Sequence, residues 1–459
     1  MKKFYIALCF IVLNGCVSLN KSAGIRFAKY QDLTLSNGLK VLIVENKNLP
    51  VVQVGLLIRT GASSDPISKS GLASLTTDLL DQGTKLKTSE QLADEFGNLG
   101  TSFNGSVNAD FIYLSTKGLS KNQNELLKLF FEVVTQPAFS PAEVNRMSQQ
   151  NIADIQRAYD QPPYLASRFF AQMLFSSHPY GRPSEGTVRD IKGIRQSEIT
   201  QLYSKYFRPN NSLLVFVGDI APDFKNTIIE LTKDWKPEPI KEIDLGNRNQ
   251  LSGQRIMLVN REDLKQAEVR MGHYGIQRKI EDYQTLKVAE TILSSGFTSR
   301  LMNEIRVKRG LTYGINTNFD AKKDVGSFSV TTNTRFEKVG ETVGETLKVI
   351  RAFYDKGVSE DELSMAKGFL RGAFPRGFET PEQLAQTLVA LRFFEIDDSY
   401  LTNYLENLEK IKVSDVNEVI KKYYHPDQMQ ILVYAPKEKV IDQLRPLGAI
   451  ELKNYLELF

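Results

Sequence analysis

The chain has 459 residues, of which 41% are hydrophobic and 24% charged, with a formal net charge of +4. This is the composition of an ordinary globular protein long enough to bury more than one core. The small net charge and the lack of a basic cluster interleaved with aromatics argue against nucleic-acid binding.

Lys2 and Lys3 precede an apolar run over residues 4–13, which is too short to span a membrane and reads as the hydrophobic part of a signal peptide covering 1–15. The run ends in Leu13-Asn14-Gly15-Cys16, which resembles the lipobox of bacterial lipoproteins. Acylation of Cys16 would anchor the mature chain to a membrane through residues 16–29, a short tether. Val17, where an Asp would retain the protein at the inner membrane, resembles the outer-membrane sorting pattern. The expected location is therefore the cell envelope, at the outer membrane and facing the periplasm. A plain signal peptide with an incidental cysteine is the alternative. Cys9 would leave with the signal peptide, so the mature chain has no thiol for a disulfide or a nucleophile.

Ser36-Asn37-Gly38 between two apolar runs predicts a hairpin, and residues 51–59 predict a third strand. Over 71–85, Leu72, Leu75, Leu79 and Leu80 recur at helical spacing and Gly83 stands where a glycine would end the helix. Helices are predicted over 89–99, 122–135, 141–159, 163–175 and 197–206, with strands of small polar residues over 101–116 and a strand over 212–217. Lys236-Pro237-Glu238-Pro239 opens a polar linker over 236–252. The order then begins again. Strands over 255–259 and 268–275, a helix over 283–295, a helix over 299–307, polar strands over 311–334 and a helix over 339–355 repeat the first half. Tyr206-Phe207-Arg208-Pro209 and Tyr423-Tyr424-His425-Pro426 close the corresponding helices, and each is followed by a strand. Two homologous α+β domains, 30–235 and 253–459, are expected, each a mainly antiparallel sheet covered by helices on one side.

Ser74, Thr77 and Asp78 fall at i, i+3 and i+4 on the 71–85 helix, so three side chains leave one face together with the spacing of metal ligands. Two hydroxyls and one carboxylate make a poor zinc site. The three histidines, His178, His273 and His425, lie far apart and none has a partner at i+3 or i+4, so a structural role is expected for each. No G-x-S-x-G, P-loop, C-x-x-C or dinucleotide fingerprint is present.

Four stretches together resemble the pitrilysin/insulinase family of zinc metallopeptidases, in the branch similar to the mitochondrial processing peptidase. They are residues 71–85; His178-Pro179-Tyr180-Gly181 with Gly186-Thr187; Ser299-Arg300-Leu301; and 306–313, RVKRGLTY. The resemblance runs from about residue 27 to the C-terminal region. It implies two α/β-sandwich domains of the LuxS/metallopeptidase type, facing each other as a clam shell. Active members carry H-x-x-E-H on the first helix, with two zinc ligands and a general base. Here those positions are Ser74, Thr77 and Asp78. A third ligand, Glu, would fall near Ala153 and Asp154, and residues 151–160 contain no Glu. Arg306 and Tyr313 match the pair that, in this family, polarises the scissile carbonyl. Residues 293–298, LSSGFT, stand where some non-catalytic subunits have a glycine-rich substrate loop, and they hold one Gly.

In two-subunit members one chain carries zinc and the other the Arg/Tyr pair. The expectation is an enzyme homologue inactive alone, with no metal or cofactor of its own. It would bind peptide and lend Arg306 and Tyr313 to a zinc-bearing homologous partner. The alternative is a non-hydrolytic peptide-binding or scaffold protein of the envelope with the same fold. A third reading makes Ser74, Thr77 and Asp78 an unusual site of their own.

Overall fold

The computed structural model describes residues 30–458. The expected signal peptide, Cys16 and the tether lie outside the described residues. Among the described residues no helix is long and apolar enough to cross a membrane.

The first half builds a six-stranded sheet from β1 (Tyr30–Thr34), β2 (Lys40–Glu45), β3 (Val51–Ile58), β4 (Asn104–Val107), β5 (Ile112–Leu119) and β6 (Ser212–Gly218), in the order β1-β2-β6-β3-β5-β4. The second half builds another from β7 (Arg255–Asn260), β8 (Ala267–Tyr274), β9 (Ile315–Asp320), β10 (Ser327–Thr334), β11 (Gln430–Ala435) and β12 (Ile450–Asn454), in the order β12-β7-β11-β8-β10-β9. Five strands correspond one to one, including the parallel pairs β2 with β6 and β7 with β11. The sixth differs: β1 is antiparallel to β2 and comes from the start of its half, whereas β12 is parallel to β7 and comes from the end of the chain. Between Trp235 and β7, residues 236–254 form no helix or strand.

Each sheet has one face on its own helices. In the first half Val52, Val54, Leu56 and Ile58 alternate into a core with Leu75, Leu79, Phe130 and Ile199. Val269, Met271, Ile292, Phe353 and Val433 do the same in the second. One-sided cover was expected, and the structure adds cover on the second face by exchange. The helix Pro162–Phe175 leaves the first half and lays Leu165, Phe169, Phe170 and Met173 against Met257, Val259, Leu432 and Tyr434 of the second sheet. The helix Pro381–Phe393 returns the arrangement, packing Ala385, Leu388, Val389 and Phe393 on Leu42, Val44, Leu57, Val215 and Val217 of the first. The two domains so face each other in a clam-shell arrangement. Arg270 on β8 fixes the first crossing, donating to Pro163 O (3.0 Å), to Ser167 Oγ (3.2 Å) and to Glu268 (3.0 Å), with Arg270 and Glu268 themselves buried.

Two local expectations change. The first helix runs Leu72–Asp78 and stops before Gly83. Leu80 N–H returns to Thr77 O and Gln82 N–H to Leu79 O, three-residue turns that swing the chain away. Gly83 instead accepts from Ala138 N–H, and Lys85 N–H donates to Gln136 O, so the turn is tied to the end of the Gln123–Thr135 helix. The segment expected as an ordinary helix over 299–307 is a π-helix, Met302–Lys308.

Because Pro162–Phe175 belongs to one half by sequence and to the other by packing, the halves are expected to unfold together. Phe169→Ala should lower stability by about 3–5 kcal/mol. The single tryptophan, Trp235, lies in the first half, packed in its core. In urea titrations its fluorescence transition should still shift with the far-UV circular dichroism transition, and separation of the two curves would show independent halves.

Candidate functional site

The Leu72–Asp78 helix begins where two backbones cross. Gly71 has φ +91°, and a Cβ there would lie 2.7 Å from Glu185 O; a Cβ on Gly186, φ +86°, would lie 2.3 Å from Ser70 O. That close approach explains why both glycines stand among the sequence landmarks. Asp65, almost fully buried, caps the helix by accepting from Gly71 N–H (2.8 Å) and Ala73 N–H (2.9 Å). Arg182 sits beside it, donating to Asp65 O at 2.7 Å.

On the face expected to carry metal ligands, each side chain already has a partner. Ser74 donates to Ser184 O (2.6 Å), Thr77 donates to Ala73 O (2.8 Å) with its methyl against Gly105, and Asp78 accepts from Asn151 Nδ2 (2.9 Å). Asn151 lies on the Pro141–Tyr159 helix, the element expected to supply the third ligand, and it stands one turn before Asp154. The residues surround a polar cavity of about 290 Å³ with Asp81, Gln82 and Gln150. Burial, with Asp81 and Asp154 nearby, pushes the Asp78 carboxyl above the ordinary value. A zinc ligand must be an ionised, available donor. Two hydroxyls already donating to backbone carbonyls and one carboxyl bonded to an amide do not supply that, and among the described residues no group of three or more His, Cys, Asp and Glu side chains could hold a metal ion. Asn151 escaped the sequence reading, which placed the third ligand near Ala153 and Asp154.

The histidines are occupied elsewhere. His178 accepts from Tyr180 N–H through Nδ1 (3.2 Å) and presents Nε2 to Asp324 at 3.2 Å, across to the second half. His273 donates from Nδ1 to Tyr274 O (2.6 Å) and accepts from His425 N–H at Nε2 (3.1 Å); burial pushes it down to about 3. With both ring nitrogens bonded, neither is a ligand.

Arg306 and Tyr313, separated in sequence by a glycine turn, are brought together. The Arg306 guanidinium lies 4.6 Å from the Tyr313 ring centre and 5.0 Å from that of Phe297. Tyr313 is 84% exposed and Phe297 69%. Arg306 has no hydrogen-bond acceptor among the described residues, whereas neighbouring Lys308 and Arg309 both pair with Glu304. Tyr313 is held outward by its turn: Thr312 Oγ1 accepts from Gly314 N–H (3.1 Å), and Thr332 Oγ1 donates to Gly314 O (2.9 Å). Phe297 escaped the sequence reading because the 293–298 segment was weighed for glycines; its signal was an aromatic following Gly296.

The buried Asp65 carboxyl is pushed up to about 7, chiefly by burial. A carboxyl raised from its ordinary 3.8 supports folding fully below that value and loses this contribution as pH rises through about 7. Asp65→Asn should therefore gain on the native chain by roughly 2–3 kcal/mol between pH 5 and pH 8. Thermal melts of the two proteins across that range check it, and parallel curves would refute it.

The comparisons with known proteins bear on the same two halves. A family model described as insulinase (peptidase family M16) matches residues 40–188, and one described as peptidase M16 inactive domain matches residues 194–370. The chain is similar to the non-peptidase homolog YmxG of Helicobacter pylori, 25% identical over 440 residues covering 96% of this chain and 100% of that one. It is also similar to an uncharacterized zinc protease of Rickettsia bellii, 23% identical over 403 residues, 85% of this chain and 94% of the other. The crystal structure of a peptidase M16 inactive domain from Pseudomonas fluorescens superposes with a TM-score of 0.83 at 27% identity, covering 89% of this chain and 98% of that one. The fold is thus that of a known group, and the chain belongs to the insulinase, or M16, peptidase family as a non-catalytic homologue.

Proposed function

We propose that the chain is the non-catalytic subunit of an exported, membrane-anchored M16 peptidase pair. It binds peptide and contributes Arg306 and Tyr313 to the active site of a zinc-bearing homologous partner. The observation that carries this reading is the contrast between the two halves. The first-half face is closed by its own hydrogen bonds, whereas a half-buried Arg306 and an exposed Tyr313 stand side by side, with donors that no described residue uses. A guanidinium and a phenol presented this way suit a carbonyl oxygen delivered from outside. The zinc and its bound water belong, in this reading, to the partner.

Peptide binding is supported by β4. It is the last strand of the first sheet, paired with β5 on one side only, and its residues are mostly exposed. An extended segment can add to such an edge through main-chain hydrogen bonds. Export and lipid anchoring rest on Lys2, Lys3, the apolar run and Cys16. The envelope location at the outer membrane follows from those residues together with Val17.

The second reading is a non-hydrolytic peptide-binding or scaffold protein. It is favoured by the description of the Helicobacter pylori relative as a non-peptidase homolog.

The test mixes the purified chain with an M16 homologue of the same genome that carries H-x-x-E-H, and measures peptide hydrolysis and zinc content. Activity and zinc in the mixture, with neither in this chain alone, is the expected result. Peptide or partner binding without hydrolysis selects the scaffold reading. Within an active pair, Arg306→Ala with Tyr313→Phe should lower kcat by about 100-fold while leaving partner association intact. An unchanged kcat would remove these residues from the chemistry.

A further inference from the structure

The second face of the first sheet changes character along its length. Where Pro381–Phe393 covers it, the residues are Leu42, Val44, Leu57, Val215 and Val217. Beyond the N-terminal end of that helix the same face is polar. Register places Gln53 opposite Lys117, Gly55 opposite Ser115 and Ser115 opposite Asn104, with Ser106 opposite Tyr113. Glu382 and Gln386 close this area from the second half, giving a cavity of about 640 Å³ walled by both domains and bordered by the free strand β4.

Tyr113 is the element of the cavity that the fold does not complete. Its ring lies across Gly55, where a Cβ would meet the phenol oxygen at 2.4 Å, so glycine is what makes room for it. The residue is 8% exposed, and its hydroxyl makes no well-aligned hydrogen bond although Gln53 stands within reach of it. Gln53, beside it, gives its amide to Val54 O at 3.1 Å. A buried hydroxyl without a partner costs free energy that a ligand atom can recover. An apolar group entering the cavity would instead strand Tyr113 and strip water from Ser115 and Asn104.

We propose that this cavity selects peptides by polarity. It accepts a hydroxyl or amide side chain, Ser, Thr, Asn or Gln, from a segment lying along β4, and it rejects Val, Leu and Ile there. The selection rests on the peptide-binding reading above and adds the class of peptide to it. Tyr113 is the specificity-determining residue. Its hydroxyl pairs with the incoming side chain, and the neighbouring Gln386 and Asn104 offer further donors and acceptors at the mouth.

Two fluorescein-labelled ten-residue peptides test this with the purified full chain by fluorescence anisotropy. One has a Ser/Thr/Asn/Gln centre and the other a Val/Leu/Ile centre, with identical Lys and Glu flanks. The polar peptide is expected to bind at least about tenfold more tightly, the scale on which one unpaired buried polar group discriminates. Tyr113→Phe keeps the ring and its packing, and should weaken the polar peptide about fivefold without weakening the apolar one. Gln386→Leu, on the exposed side of its helix, should move preference in the same direction. Equal affinity of the native chain for both peptides, or an undiminished preference in Tyr113→Phe, overturns the selectivity and leaves peptide binding standing. Binding of neither peptide overturns both.

Discussion

The exchange of Pro162–Phe175 and Pro381–Phe393 is the constraint on which the rest of the structure depends. Each sheet is apolar on both faces over much of its area, and its own helices cover only one. The remaining face of one half is satisfied by a helix of the other, so neither half buries its core alone. A buried charge, Arg270, is held at one crossing by Glu268 and two acceptors of the visiting helix, which fixes register as well as contact. Domain duplication thereby yields two halves that share their second layer of packing.

Within that arrangement the polar face of the first helix is closed by protein groups. Zinc chemistry needs side chains that stay unbonded until the metal arrives, oriented by neighbours that hold them from behind. Ser74, Thr77 and Asp78 are short enough to reach acceptors and donors of their own chain, and they do. The cap beneath them, Asp65 under Gly71, is retained, because it serves the helix and the crossing of backbones at Gly186 whatever the helix carries. The second half takes the opposite course. A π-helix and a threonine-clasped turn present Arg306 and Tyr313 outward, with Phe297 against the far face of the guanidinium.

Much of this was legible in the chain. Duplication and the strand and helix order follow from local signals: period-2 and period-3.6 apolar spacing with Asn-Gly and Pro punctuation. Helix ends were less legible. Gly83 looked like a stop signal and serves a turn bonded to residues 136–138, a contact made across fifty positions that no local rule contains. The 302–308 segment has a helical pattern that does not distinguish π from α geometry.

What the sequence determined by itself is the set of elements and the chemistry each can offer, because spacing and side-chain type act over a few residues. Tertiary structure alone decided which surfaces meet. The apolar faces of Pro162–Phe175 and Pro381–Phe393 specify burial without naming a partner, since the hydrophobic effect is non-directional. Likewise Gln53, Tyr113, Asn104 and Glu382 are unremarkable apart; they line one cavity because β3, β5, β4 and a helix from the other half converge there. The Tyr113 hydroxyl is left without a well-aligned partner by that convergence, not by anything within its own strand.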